Sequence, residues 1–480
     1  MAVFALSLTA VLLAAALAFD GGLVFVERRD QQNAADAAAL AGARYLTSSG
    51  TTSRTNALSA AYAIAADNGF SDGVAAATVK AYVPPISGPH SGQAGYIEVQ
   101  IGSTRPSFFA GLAGIAKWDI SARAVALNGD GAGGDFALLS LNKDPGNAGC
   151  DALKVTGTGS VEAHGDIQVN SPCDAGGLRA GGGGTVTVID VDTNGYACNV
   201  VGPSPSSIIP GEADGAIDCA YNMDATPLED PLKDLEPPAR PALAQPPKQI
   251  SGETEDIPDG CPGAPKKPSS WESPQLCRFA NAKYEDTTWV LYPGLYPGGL
   301  DLNDATFHLM PGIYYIAGGG LSAGGEATVL TVDAGGNLHA DGSAKRGVMF
   351  YNTEHPTVAW GPIQLNGGGS DFEILPLEAS SLPDANYNGI VLFNDRDFPG
   401  PAKPRSTAIT LNGGGSDFAA RGTIYSATGL VTVNGNSAEY EMTLDQAIAW
   451  DFSLNGNGGS ISALMDTDYL FKLRAAGLVE

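Results

Sequence analysis

The sequence predicts three parts in order: an N-terminal transmembrane and stem α-helix, a small α+β module, and a long all-β region wound as a right-handed parallel β-helix. Three observations predict this. An uncharged run from Ala2 to Phe19 passes without a break into a small-residue, helix-favouring segment. Alternating apolar and polar residues follow between about 77 and 126. Through the second half, a pattern of apolar-x-apolar-Asn-Gly recurs at intervals near 22 residues or their multiples, as expected of short strands stacking coil on coil.

The helix comes first. The 18 residues Ala2 to Phe19 contain only Ser7 and Thr9 as polar side chains, and a bilayer span needs roughly 17–25 residues. Leu23 to Val26 would extend it past Asp20. Asp20 then lies near one membrane face, either as a helix-packing acid or as an interfacial carboxylate that ends the span. No Lys or Arg precedes the run, so an uncleaved anchor fits better than a signal peptide. Arg28 and Arg29 follow the span, and positive residues favour the cytoplasmic side; the cysteines below favour the opposite side. The next segment is Gln32-Asn33-Ala34-Ala35-Asp36-Ala37-Ala38-Ala39-Leu40-Ala41-Gly42-Ala43. Alanine is the best helix former, so the helix is expected to reach about Tyr45. Small residues let helices approach closely. Two uses stand open for this stem: docking on helices of a partner, or packing on its own domain.

Composition limits the function. The 480 residues leave room for two to four domains. A net charge of −26 argues against nucleic-acid binding, which needs a basic face. The 63 glycines, about twice ordinary usage, have no collagen period and imply many tight turns. Six cysteines, Cys150, Cys173, Cys198, Cys219, Cys261 and Cys277, form no CxxC motif. Disulfides and an oxidising compartment are the expected reading, with the pairing open among 15 combinations.

The module spans about 47 to 128. Asn56 to Asn68 reads as a helix stopped by Gly69. Ala77 to Val83, Tyr96 to Ile101 and Ile120 to Ala126 read as strands, with a short helix from Ser107 to Leu112. Gly69-Phe70-Ser71-Asp72-Gly73 matches the GxSxG nucleophile elbow, but a helix precedes it and a strand follows, the reverse of what that motif requires; it reads as a turn.

These residues carry a family resemblance. QNAADAAALAGA, from Gln32 to Ala43, resembles the N-terminal signature of Tad (tight adherence) Flp pilus-assembly proteins of the TadE/TadG-like group. PSFFAGLAGIAKWDISARAVA, from Pro106 to Ala126, is similar to the pilin-like body of the same family. The resemblance implies a protein of the cytoplasmic (inner) membrane. It implies a single pass, with the bulk of the chain periplasmic, and pilins or other Tad pilus-assembly proteins as partners. Asp20 and Gln32 to Gly42 are then the helix-packing residues. Family members usually carry a short basic segment before this helix, which would place Met1 within the family's apolar segment.

The remaining chain divides into first coils at 135–220, a Pro-rich linker at 221–284, and a main coil stack with a terminal cap at 285–480. Asn366, Asn412, Asn434 and Asn455 close the repeated pattern at spacings of 46, 22 and 21, and Asn303 lies 63 before Asn366. Asparagine and glycine tolerate the left-handed backbone of sharp corners, and stacked asparagines can bond along a ladder. Pro293-Gly294-Leu295-Tyr296 recurs as Pro311-Gly312-Ile313-Tyr314, and LNGGGSDF occurs from Leu365 and again from Leu411. The family includes proteins with such a Gly-rich, LxPGxY-containing region after the N-terminal module. Leu464 to Leu478 is expected to form a capping helix.

Chemistry is sparse. Asn394-Asp395-Arg396-Asp397, with Asp371 and Asp417 in matching turns, is the best catalytic candidate, though a solvated loop is the simpler reading. The GGGSDF turns break the calcium nonapeptide spacing, Asp451 to Asn455 departs from a DxSxS metal motif, and no HExxH or P-loop is present. The sequence therefore predicts no cofactor, no metal and a non-catalytic structural protein. A glycan-binding adhesin and a β-helix carbohydrate-active enzyme are the alternatives.

Overall fold

The computed structural model describes the chain apart from residues 1, 44, 47–50, 93–95, 131–135, 144–150, 174–176, 190–196, 203–214, 234, 339–346, 368–370, 380–382, 400–405, 415–417, 436–440, 457–459, 467–468, 472–473 and 479–480. For residues 2–17, 51–53, 112–113, 128–130 and 474–478 it describes the backbone alone. Two compact units result, one of 1–133 with 472–480 and one of 134–471.

In the first unit, helix α1 (Ala2–Ala43) is followed by α2 (Thr51–Asp67), β1 (Ala77–Tyr82), β2 (Tyr96–Pro106) and β3 (Lys117–Asp130). Stem and module are thus one body, where two successive domains were expected. The strands pair antiparallel, β1 with β2 and β2 with β3. Helix α2 stops as expected: Gly69 takes φ 91°, its N–H bonds to Ala66 O, and Phe70 N–H bonds to Ala65 O, the left-handed exit that glycine tolerates. The GxSxG residues form the following turn, tied down by Asp72, whose carboxylate accepts from Val79 N–H at 2.9 Å. A 3-10 turn, Ala110–Ala113, replaces the expected Ser107–Leu112 helix.

The C-terminus corrects the sequence reading. Among the described residues of 464–478 the expected capping helix is absent; Arg474–Leu478 is a strand, antiparallel to β3, that completes the module's four-stranded sheet. Its residues, Arg-Ala-Ala-Gly-Leu, favour a helix locally, but β3 is long and offers a free edge. Pairing a free edge outweighs a weak local propensity. The second unit is therefore, in chain order, an insertion between two neighbouring strands.

That second unit contains one sheet of 26 strands, in which nearly every strand pairs in parallel with the third strand after it. Thr288–Leu291, Gly294–Pro297 and Leu300–Asn303 pair with Thr306–Leu309, Gly312–Ala317 and Leu321–Gly324, and so on through three-strand rungs. The inward residues of each rung form one continuous apolar core. Aromatic rings stack along it, as Phe372 on Phe418 at 5.1 Å and Tyr296 on Tyr314 at 5.9 Å. Each of those two tyrosines donates its hydroxyl to the carbonyl four residues earlier, Tyr292 and Met310. This explains why PGxY repeats.

The order of rungs is not the order of the chain. Met442–Gly456 and Ser460–Ala463 pair in parallel with Phe136–Ser140, Leu153–Gly157 and Ser160–Ala163. The last rung by sequence therefore stacks on the first, and the two expected coil blocks form a single ladder entered at its middle. One end of the ladder is the rung around Ala197–Val200 and Ala220–Met223. The other contains Cys277–Phe279 and Thr288–Leu291.

This order requires the chain to cross from one end to the other between the two blocks, and the Pro-rich segment makes that crossing. Seven parallel pairings separate the strand Asp166–Val169 from Gly294–Pro297. At about 4.8 Å each that is roughly 34 Å, within reach of an extended proline-rich chain. The crossing is pinned throughout. Asn170 bonds to both Leu228 N–H and Leu228 O. Tyr425 donates to Asp230 at 2.6 Å, and Tyr387 to Glu236 O at 2.7 Å. Ala242 and Ala244 exchange backbone bonds with Leu295. Leu232 is buried among Tyr351, Phe393 and Tyr425. The expected linker is thus a strap. Its prolines cost nothing here, because an extended strap needs few backbone donors.

Candidate functional site

Among the described residues, no three His, Cys, Asp or Glu side chains gather as a metal site. The candidate catalytic residues are engaged in structure. Asp395 accepts hydrogen bonds from Tyr351 at 2.7 Å and Thr353 at 2.6 Å. Arg396 points into the strap, donating to the carbonyls of Leu232 and Leu235 and to Tyr425. The loop is a clamp, where a solvated turn was the simpler expectation. Asp371 stands on the strand Asp371–Ile374, in a different column of the ladder from Asp395, so the two are not brought onto one face. Asp417 lies outside the described residues.

The turn asparagines form a ladder. Asn412 donates to Asn366, Asn434 to Asn412 at 2.5 Å, and Asn455 to Asn434 at 2.8 Å. Thr156 then donates to Asn455 across the junction between last and first rungs. Asn303 stands opposite Gly324 in register and bonds to Asp301 instead. Two disulfides are present, Cys198–Cys219 and Cys261–Cys277. Cys173 is also disulfide-bonded, and Cys150 lies outside the described residues.

The stem offers the more informative surface. Ala34, Ala35, Ala38, Ala39 and Ala43 are fully buried against α2 and the sheet. A Cβ added at Gly42 would lie 2.5 Å from Ile97 Cδ1 and 2.9 Å from Ala57 O. Of the two uses left open for the stem, the small-residue face packs on its own domain. Gln32 bonds to Asp36 at 2.7 Å and to Arg123 O at 3.1 Å, while Asn33 is exposed and Ala37, Leu40 and Ala41 are half-buried.

Nearer the N-terminus, side chains pin α1 to β2. Glu27 accepts from Ser103 at 2.8 Å and from Arg105 at 2.9 Å, and Gln31 donates to Ser103 at 2.7 Å. Asp20 is buried and accepts backbone N–H bonds from Phe108, Phe109 and Ala110 at 3.3, 2.9 and 2.7 Å. It caps the 3-10 turn, a role that neither the helix-packing nor the interfacial reading gave it. Sequence reasoning missed this pairing, since the two residues are about 90 positions apart and nothing local couples them.

On strand β2, between β1 and β3, Glu98 is fully buried. Burial alone would raise its pKa. Hydrogen bonds from Ser87, Gln100 and Arg123 and the Ile86 N–H outweigh that and hold it at about 2.

Among the described residues no helix is long and apolar enough to cross a membrane; the run expected to do so, Ala2 to Phe19, lies almost wholly in the part described by backbone alone.

Two family models match this unit. The first, a putative Flp pilus-assembly TadE/G-like model, covers residues 1–44, and the second, a putative Tad-like Flp pilus-assembly model, covers residues 29–126. Residues 1–126 are a Tad-family module. The matches take in α1 through most of β3, and stop before the inserted ladder. They support a role in pilus assembly and association with other pilus components. No curated protein and no solved structure matches the chain.

Proposed function

We propose that this protein is a membrane-anchored, non-catalytic structural component of Flp-type pilus assembly. Its N-terminal helix spans the cytoplasmic membrane, and both units lie on the extracytoplasmic side. The inserted ladder is read as a parallel β-helix, right-handed as parallel crossovers nearly always are, serving as a rigid spacer or binding surface. The observation that carries this is the unbroken helix α1, which joins the apolar run Ala2–Phe19 to a module matched by Tad family models. Disulfides support an oxidising compartment.

The test is a gene deletion scored for surface pili, together with protease access in fractionated cells expressing the tagged full chain. Loss of pili, restored by the full chain, with the ladder cleaved only from the periplasmic side, is expected. Normal piliation in the deletion strain overturns the assembly role. A full-length chain recovered from the soluble fraction overturns the anchor.

A further inference from the structure

The first unit leaves a set of large apolar side chains uncovered at one level of α1. Phe108 is 71% exposed, Phe25 75%, Val26 58%, Phe19 54%, Phe109 44% and Leu23 43%. Phe19 meets Phe108 and Phe109 edge-on, with centroids 6.3 and 5.7 Å apart. The Asp20 carboxylate, bonded to three consecutive N–H groups of the turn, fixes those phenylalanines at the height where the apolar run ends.

We infer that the turn from Ser107 to Ala116 is a second membrane contact, which seats Phe108 and Phe109 in the lipid interface beside α1. This rests on the reading that Ala2–Phe19 spans the bilayer. Three features point to lipid as the occupant. The exposed residues on α1 share the face turned away from its own domain: at 100° per residue, Leu23, Phe19 and Val26 lie about 60°, 100° and 120° to one side of Asp20 and Phe25 about 140° to the other, an arc of about 160°. That is broader than the roughly 100° stripe by which a helix packs on a single element, as expected where lipid touches all that its own domain leaves open. The ten residues from Ser107 to Ala116 carry no charge. Beyond them basic residues appear: Lys117, 4.0 Å from Asp119, follows the turn, and the exposed Arg28 and Arg29, between Glu27 and Asp30, stand about 12 Å further along the helix, at headgroup depth, where basic residues meet anionic lipid. The same bonds that fix the turn also satisfy Asp20. A carboxylate at the end of a span is costly when bare, and three N–H donors let it sit at the interface.

The test places the photo-crosslinking phenylalanine analogue benzoylphenylalanine in the full chain, reconstituted in phosphatidylethanolamine/phosphatidylglycerol vesicles containing alkyne-tagged lipid. Leu12→benzoylphenylalanine reports the span, Phe108→benzoylphenylalanine the turn, and Arg54→benzoylphenylalanine, exposed near the start of α2, the aqueous background. Matching thermal melts confirm that the variants fold. Lipid adducts at 12 and 108, each several-fold above those at 54, are expected. Lipid adducts at 12 with background yield at 108, or with protein adducts at 108, overturn the turn's contact and leave the anchor standing. Background yield at 12 overturns the anchor itself, and the inference with it.

Discussion

At the scale of single residues, the stem is held by close contact, so size is what it should be most sensitive to. Gly42→Ala adds one methyl where Ile97 and a backbone oxygen already stand. Overpacking of this kind costs about 1–3 kcal/mol. The expected result is a lower urea midpoint for the module, measured by circular dichroism; an unchanged midpoint would mean that α1 and α2 are further apart than described. Glu98 gives a second test. Its folded pKa of about 2 is depressed from an ordinary value near 4.5. The stability it contributes is therefore fully present above about pH 4.5 and is lost as pH falls toward 2. The loss is at most about 3 kcal/mol. Glu98→Gln should flatten this acid limb while lowering stability at pH 7, and an identical pH profile in the variant would rule the carboxylate out as its source. Neither the Gly42 contact nor the Glu98 cluster was legible in the sequence. Gly42 appeared only as part of a small-residue motif, and Ser87, Glu98 and Arg123 become neighbours only once the sheet forms.

At the scale of elements, legibility followed whether the signal was local. Strands β1 to β3 and helix α2 stood out because period and stop signal lie within each segment. The asparagine pattern exposed the ladder because four successive rungs repeat it, at Asn366, Asn412, Asn434 and Asn455. The C-terminal strand was misread for the opposite reason: Arg474–Leu478 has a helix-tolerant composition, and only its partner β3, some 350 residues earlier, makes it a strand. Two predictions belong here. Deleting residues 472–480 removes the module's edge strand, so the module should unfold at lower denaturant while the ladder keeps its transition. Coincident loss of both would mean that the two units do not unfold separately. Asn434→Ala removes a member that both donates to Asn412 and accepts from Asn455. Removing the donor to the half-buried Asn412 oxygen and the acceptor of the Asn455 amide should cost about 1–3 kcal/mol, read as a lower melting temperature of the ladder. Asn303→Ala, outside that chain of amides, should cost less.

At the scale of the whole insert, chain path decides where stability is weakest. In a stacked array each rung is held by its neighbours, so end rungs, with one neighbour, fray first. Here the ends of the ladder are the middle of the sequence, while both chain termini of the insert lie at its interior, next to each other through the pairing of 442–463 with 136–163. The two described disulfides sit at the ends: Cys198 is on the strand Ala197–Val200 and Cys277 on Cys277–Phe279. Each closes a short loop, 21 and 16 residues in sequence, of a size for which the chain-entropy model gives about 3 kcal/mol. The strap joins the two ends and is clamped mid-way by Arg396. The crossing follows from the rung order, which the repeats alone do not reveal: the spacing of the asparagines shows that rungs exist, not that the last stacks on the first. Replacing Cys198 and Cys219 together by alanine should therefore raise amide hydrogen exchange in 197–200 and 216–223 while the rungs carrying Asn412, Asn434 and Asn455 stay protected. Arg396→Ala should instead raise exchange along 226–244, because the Leu232 and Leu235 carbonyls lose their guanidinium donor and the strap lifts. If either variant raised exchange evenly across the insert, the ladder would unfold as one unit and the ends would need no staple. If the cysteine variant exposed the Asn412–Asn455 rungs first, the ladder's weak points would follow sequence order, and the mid-ladder entry of the chain would be wrong.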